Sequence, residues 1–317
     1  MPDANDLLLV KSGGPSVFHE WVEGFAACRP GLAVREWDDS GVRDDEVTYV
    51  LVGQPVPGRL ARMPRLKAIF CGGAGVDHLT GDPTLPRHLP IVRMASHETA
   101  QTMAEYVCLA ALGLLRGWRR LALAQEQRRW DHFIGTRTAR ETRVGVLGLG
   151  HIGTAAFRML RGLGFTVQGW SRSPKRMEGV TTYAGADQLR VCLATSDIVI
   201  GLLPHTAETA GLIRAETIGW MPRGAGLINA GRGSLVVLGD LLAALDSGQL
   251  GGAVLDVFEP EPLPPDHPAW THPRLTVTSH VAGFATRRTR AAYVAEAMAT
   301  LERGGRPSYL YDRERGY

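Results

Sequence analysis

Near its middle the chain reads Val144-Gly145-Val146-Leu147-Gly148-Leu149-Gly150-His151-Ile152-Gly153, and it runs on from Thr154 to Leu160 in a helical pattern. A short buried-strand run leads straight into G-x-G-x-x-G, which opens a helix. A dinucleotide fingerprint has that order. Glycine is common here, 38 residues of 317, so the three glycines alone would carry little weight. The strand before them and the helix after them supply the weight. Gly148 permits the tight turn, Gly150 lets backbone approach a pyrophosphate, and Gly153 allows close helix packing. The helix start at His151 and Ile152 offers unpaired N–H groups and partial positive charge to the phosphates.

The next strand ends Gln168-Gly169-Trp170-Ser171-Arg172-Ser173. An NAD site shows an acid about 20 residues beyond its glycines. Ser171 takes that place, so nothing there repels a 2′-phosphate, and Arg172 can pair with one. Ser171, Arg172 and Ser173 therefore form the expected 2′-phosphate site. Lys175 is near enough to assist, a solvated loop lysine being its plainer role. NADP(H) is favoured, with NAD(H) possible.

Outward from this turn, 317 residues exceed what one hydrophobic core usually serves, and two domains are expected. The hydrophobic share of 44% and charged share of 21% are those of a globular protein. A net charge of +3 with dispersed arginines indicates no nucleic-acid surface. Arg116, Arg119, Arg120, Arg128 and Arg129 gather in one helical stretch, which reads as a solvated or subunit-contacting face. Cys28, Cys71, Cys108 and Cys192 have no metal or disulfide spacing, so no metal site is expected and free thiols point to a reducing compartment. Met1 to Asp6 carry no basic leader, and Val107 to Leu115 is far too short to span a bilayer, so a cytoplasmic protein without membrane contact is expected.

Short apolar runs at Leu7 to Val10, Val47 to Val52, Leu66 to Cys71 and Ile91 to Met94, with a helix over Phe18 to Cys28, predict a parallel sheet with crossover helices. A long helical pattern over Thr99 to Arg129 bridges to a second strand series beginning at Arg143. That series continues through Thr166 to Trp170, Asp197 to Leu203, Gly226 to Asn229, Gly252 to Asp256 and Leu275 to Thr278. A final helix, about Arg287 to Arg303, returns to the first domain. The predicted fold class is α/β, with two doubly wound parallel-sheet domains. A Rossmann cofactor domain, 98–285, is inserted in a flavodoxin-like substrate domain, 1–97 plus 286–317.

Three later segments carry chemistry: Asn229-Ala230-Gly231-Arg232-Gly233, then Leu255 to Pro264, then Thr278-Ser279-His280-Val281-Ala282-Gly283. In an open α/β sheet, ligands bind outside the carboxyl ends of the strands. Reducing a 2-oxo acid needs a cation for the carboxylate and carbonyl, an acid that protonates the carbonyl oxygen, and a partner that tunes that acid. Arg232, His280 and Glu261 supply one of each. A second glycine-rich turn, Gly72-Gly73-Ala74-Gly75-Val76-Asp77, presents backbone N–H groups suited to a small anion. Gly73, Ala74, Gly75 and Val76 are read as the substrate carboxylate seat.

The glycine turn, N-A-G-R-G, L-D-V-F-E-P-E-P-L-P and the S-H end together resemble the D-isomer-specific 2-hydroxyacid dehydrogenase family over nearly the whole chain. Trp170-Ser171-Arg172, Asp240 to Gly248 and the C-terminal Asp312 to Tyr317 are most similar to its bacterial glyoxylate/hydroxypyruvate reductase A group. The resemblance implies a homodimer that uses NADPH to reduce a small 2-oxo acid to the D-2-hydroxy acid. It implies that Arg232 anchors substrate, Glu261 orients His280 and His280 donates the proton. It also implies that Leu203, Pro204, Thr209, Ala230, Gly231, Asp256, His280 and Gly283 lie along the cofactor. The helix beginning near Thr99 would join the domains and enter the dimer contact.

Two positions depart from that pattern. Gly53 stands where the reductase group has a tryptophan, which opens the substrate site to bulkier acids, and Ser279 replaces a proline. A nucleotide-sensing corepressor on the same scaffold would be longer and would carry an acid after the second strand. Formate enzymes of this family resemble a pattern with glutamine at position 261, and phosphite oxidation is the remaining enzymatic alternative.

Overall fold

The computed structural model describes residues 6–177 and 179–316. Residues 1–5, within the Met1 to Asp6 stretch read for a leader, and Tyr317, the end of the C-terminal motif, lie outside them. The described residues form two compact units, one running to Thr99 and resuming at Ala285, the other Ala100–Phe284.

The first unit is built on a parallel sheet of β1 (Leu7–Lys11), β2 (Ala33–Glu36), β3 (Tyr49–Val52), β4 (Ala68–Cys71) and β5 (Ile91–Val92), in the order β2-β1-β3-β4-β5. That is the flavodoxin-like order. Its central strands read as continuous apolar runs because both faces are covered. Leu8, Val10, Tyr49, Leu51, Ala68 and Phe70 meet Trp21 and Phe25 of the helix Phe18–Cys28 and Ala291, Val294 and Met298 of the helix Arg287–Glu302. The alternate residues Leu9, Val50, Val52, Ile69 and Cys71 meet Trp37, Leu60 and Leu79. Each leucine buried in this way contributes roughly 1.5–3 kcal/mol.

The second unit has seven parallel strands: β6 (Arg143–Leu147), β7 (Thr166–Ser171), β8 (Thr182–Ala184), β9 (Ile198–Gly201), β10 (Ala225–Asn229), β11 (Leu250–Leu255) and β12 (Leu275–Val277). Their order is β12-β11-β10-β9-β6-β7-β8. Counted from β6, this is the Rossmann order 3-2-1-4-5-6 with one strand added at the far edge. The order reverses between β6 and β9, so the crevice lies above Leu147 and Gly201. Both sheets are therefore doubly wound and parallel, as expected.

Where elements differ from the sequence reading, the causes are local. The single long helix over Thr99 to Arg129 is two helices, His97–Leu115 and Trp118–Glu126. Gly117 between them is left-handed at φ +62°, and a Cβ there would come within 2.6 Å of the Phe133 ring. Strands β2 and β8 carry no apolar run because they are edge strands; β8 is half-buried throughout. Among the described residues no helix is long and apolar enough to cross a membrane.

Candidate active site

The glycine turn follows β6 and opens the helix His151–Gly162. Gly148 sits at φ +106°, and a Cβ on it would lie 2.6 Å from the Leu202 carbonyl oxygen. At Gly153 a Cβ would lie 1.7 Å from the Gly148 carbonyl oxygen, an impossible contact. At Gly150 it would meet nothing within 4 Å, so this face of the backbone is open to a ligand. The first helical N–H groups have no intrahelical acceptor. The turn therefore fits a pyrophosphate. The Lys175 ammonium donates to the Leu149 carbonyl, so this lysine braces the turn itself.

Ser171 ends β7, buried, with its hydroxyl donating to the Ser173 carbonyl at 2.8 Å, and Arg172 beside it is exposed. The Glu208 carboxyl is held below its ordinary range, chiefly by a hydrogen bond to Thr206, with a smaller contribution from the Arg172 charge. In the loop after β9, Thr209 donates to the Pro204 carbonyl at 2.6 Å and accepts from the Thr206 N–H at 2.9 Å, which closes the turn beyond Leu203.

The loop after β10 is tied by Asn229, which is 1% exposed. Its Nδ2 donates to the Arg232 carbonyl at 2.8 Å and its Oδ1 accepts from the Gly231 N–H at 3.2 Å. A Cβ on Gly231 would press to 2.9 Å on the Leu203 carbonyl oxygen, and one on Gly233 would lie 2.0 Å from Phe258 backbone atoms. The loops after β9, β10 and β11 thus touch through glycine backbone, and Ala230 and Arg232 are fixed between them. The Arg232 guanidinium donates to the Gly231 carbonyl at 2.8 Å.

Glu261 and His280, 19 residues apart, meet at 2.7 Å between Oε2 and Nδ1. The other Glu261 oxygen accepts from the Phe258 N–H at 2.8 Å, so the carboxylate cannot swing away without losing a second bond. His280 is left-handed, at φ +56°. Histidine visits this region more readily than most residues, though at a cost of about 1–3 kcal/mol. Asp256, 1% exposed at the end of β11, holds it there. Its carbonyl accepts from the His280 N–H at 2.8 Å. Its carboxylate accepts from Thr278 Oγ1 at 2.6 Å and from the N–H groups of Val281 and Ala282, each at 2.9 Å. Gly283 follows directly.

In the first unit, the turn Gly72–Val76 follows β4, and the Gly73 and Gly75 carbonyls are taken up by neighbouring donors. The Gly73 carbonyl accepts from the Met94 N–H at 2.9 Å, and the Gly75 carbonyl from Cys71 Sγ at 3.0 Å. Among the described residues no protein acceptor meets the N–H of Ala74 or Val76. Gly53 ends the neighbouring strand, and a Cβ on Gly72 would lie 3.3 Å from its Cα. A Cβ on Gly53 itself would meet only the Lys11 carbonyl oxygen, at 3.7 Å, so the glycine is not required here by close packing.

Sequence reasoning overlooked Tyr106, which no motif marks and which lies 172 residues from its partner Thr278. Thr278 and Phe258 lie within the quoted segments, but the bonds of the Thr278 hydroxyl and the Phe258 amide were not foreseen. An open depression of about 560 Å³, lined by Arg137, Arg140, Arg143 and Asp197, lies at the amino ends of the same strands, away from this chemistry.

Residues 108–282 match the model of the D-isomer specific 2-hydroxyacid dehydrogenase NAD binding domain. The chain is 38% identical to glyoxylate/hydroxypyruvate reductase A of Serratia proteamaculans, over 94% of this chain and 96% of that one. Its structure is similar to that of a D-isomer specific 2-hydroxyacid dehydrogenase from Xanthobacter autotrophicus Py2, solved with NADPH and MES, at TM-score 0.92 and 40% identity over 99% of this chain and 100% of that one. It is also similar to an NADPH-dependent glyoxylate/hydroxypyruvate reductase from Sinorhizobium meliloti, solved with NADP and sulfate, at TM-score 0.91 and 36% identity over 98% and 100% of the two chains. The chain belongs to the D-isomer specific 2-hydroxyacid dehydrogenase family and is an oxidoreductase.

Proposed function

We propose that the chain is an NADPH-dependent reductase of small 2-oxo acids, glyoxylate and hydroxypyruvate among them, giving the D-2-hydroxy acid. The observation that carries this reading is the 2.7 Å pair of Glu261 and His280 at the carboxyl end of a sheet whose glycine turn fits a dinucleotide. Bound there, the dinucleotide supplies the hydride that adds to the carbonyl carbon. With Nδ1 on Glu261, His280 delivers its proton from Nε2 to the carbonyl oxygen as the new C–H bond forms. Glu261 holds the ring through this bond, and its other oxygen is held by the Phe258 N–H. The Arg232 guanidinium draws the carboxylate and the developing alkoxide.

The N–H groups of Gly73 to Val76 are assigned to the substrate carboxylate, and Gly53 is assigned to a pocket that takes side chains larger than hydrogen. Ser171 in place of an acid, with Arg172 next to it, supports NADP(H), as do the ligands of the two solved relatives. Leu203, Pro204, Thr209, Ala230, Gly231, Asp256 and Gly283 are assigned to the cofactor's course. A homodimer is supported by large apolar side chains left exposed along one stretch, Leu109, Trp118, Trp130 at 94% and Ile134.

The test is a panel of glyoxylate, hydroxypyruvate, pyruvate and phenylpyruvate with each cofactor, for the wild type and Arg172→Ala. NADPH is oxidised with at least one acid, and Arg172→Ala weakens NADPH far more than NADH. Silence with every acid and both cofactors defeats the reaction. Equal loss for both cofactors removes Arg172 from 2′-phosphate recognition.

A further inference from the structure

The loop carrying His280 is held by a chain of hydroxyl groups whose direction follows from donor counting. Asp256 is acceptor-only as a carboxylate, so the 2.6 Å contact from Thr278 Oγ1 spends the single threonine proton on Asp256 Oδ1. Thr278 Oγ1 also lies 2.6 Å from the hydroxyl of Tyr106. With the threonine proton already used, Tyr106 must donate in that contact. The order is therefore Tyr106 O–H to Thr278 and Thr278 O–H to Asp256, whose carboxylate also accepts from the N–H groups of Val281 and Ala282 on one side of His280 while its carbonyl takes the His280 N–H. A hydroxyl that accepts a hydrogen bond becomes a better donor, so Tyr106 strengthens the bond from Thr278 to Asp256.

Tyr106 is itself fixed. It projects from the helix His97–Leu115 and packs with Met103, Ile152, Leu202, Ala230 and Ala282. Ile152 belongs to the glycine turn and Ala282 to the histidine loop, so one ring is in register with both.

We propose that Tyr106 and Thr278 are positioning residues for the reduction, a donor relay that keeps the His280 loop in its left-handed, Glu261-facing form through Asp256. The inference rests on His280 acting as the proton donor. The relay acts chiefly on turnover, because neither hydroxyl lies on the Gly148–Gly153 turn or the Gly73–Val76 turn and its link to the cofactor's course runs only through Asp256 and the ring packing on Ala230.

The full-length protein is assayed with saturating NADPH and its best 2-oxo acid as Tyr106→Phe, Thr278→Val, Thr278→Ser and the double variant Tyr106→Phe/Thr278→Val. Tyr106→Phe and Thr278→Val each remove one hydroxyl at nearly constant volume, the double variant removes both, and Thr278→Ser keeps the hydroxyl and loses only a methyl. Losing one buried hydrogen bond is worth about fivefold, so kcat falls about fivefold in Tyr106→Phe and tenfold or more in Thr278→Val. KM for acid and cofactor stays within about twofold, and Thr278→Ser, which keeps the donor, restores turnover. Links in series are not additive, so the double variant is no slower than Thr278→Val alone. Amide hydrogen exchange at Val281 and Ala282 speeds up about tenfold in Thr278→Val, a readout that needs no activity. The relay is overturned if the two losses multiply, if only KM changes, or if exchange at these two amides is unaltered. A wild type inactive on every 2-oxo acid defeats the proposed reaction instead, and the exchange measurement then still decides whether the relay holds the loop.

Discussion

His280 carries a chemical demand and a conformational one at the same position. Its ring must present one nitrogen to Glu261, and its backbone must stay at φ +56° to do so. Replacing it with alanine removes the proton donor and adds a left-handed strain that alanine tolerates poorly, whereas asparagine accepts that region. Both His280→Ala and His280→Asn should lower kcat by about 100-fold or more. Steady-state kinetics checks this, and an unchanged rate removes His280 from the mechanism. In a thermal melt only the alanine variant should lose stability, by about 1 kcal/mol. Tyr106 keeps its proton throughout such assays, since burial pushes its hydroxyl up to about 12, against a lowering by the Thr278 hydrogen bond and with a smaller raise from the Asp256 charge. His280, Glu261 and Arg232 were legible in the sequence because the chemistry demands those residue types after strand ends. Tyr106 was not, because 172 residues separate it from Thr278.

Between strand and helix, the glycine turn sets the tolerance of the second unit. Gly148 and Gly153 are both required by close approach, but the demand differs in degree. A Cβ on Gly153 falls inside the Gly148 carbonyl oxygen, so Gly153→Ala must push the helix His151–Gly162 off its strand. Overpacking of this kind costs about 1–3 kcal/mol and moves the N–H groups that face the pyrophosphate. Fluorescence titration with NADPH should show affinity lost by tenfold or more; Gly150→Ala, which meets no protein atom, should unfold at the wild-type temperature while still losing affinity. Retained affinity in Gly153→Ala would falsify the phosphate role of this turn. Strand–turn–helix was readable here because a buried parallel strand is an apolar run and G-x-G-x-x-G has few other uses in that setting. The edge strands β2 and β8 escaped for the opposite reason, since half-exposed strands share their composition with loops.

At the scale of the molecule, the first unit is closed by charge as well as by apolar packing. Asp6, 2% exposed, accepts from Lys67 at 2.7 Å and lies 3.6 Å from Arg29. Arg29 also pairs with Glu302 at the end of the helix Arg287–Glu302, and Tyr49 donates to the same Glu302 oxygen at 3.2 Å. Removing Arg29 leaves the buried Asp6 with Lys67 alone and Glu302 with only the Tyr49 hydroxyl. Arg29→Met should destabilise the first unit by about 3–5 kcal/mol, read by urea denaturation, while NADPH binding by the second unit is unchanged. A loss below about 1 kcal/mol would show that the cluster is not holding the unit together. None of this network was visible beforehand, because buried ion pairs leave no periodicity, whereas the doubly wound topology followed from strand and helix alternation alone.

The first unit takes strands from the early part of the chain and its covering helix from the late part. Ala291, Val294 and Met298 complete the core under Trp21 and Phe25, and Leu310 bridges to Val92. The order of synthesis follows from this. A ribosome has delivered every residue of the second unit by Phe284, while the five-stranded sheet still lacks one of its covers. At ordinary elongation rates the residues from Ala285 onward take on the order of a few seconds to appear. During that interval Trp21 and Phe25 have no helix over them, and a nascent chain stalled there would display an apolar sheet face, the form a chaperone recognises.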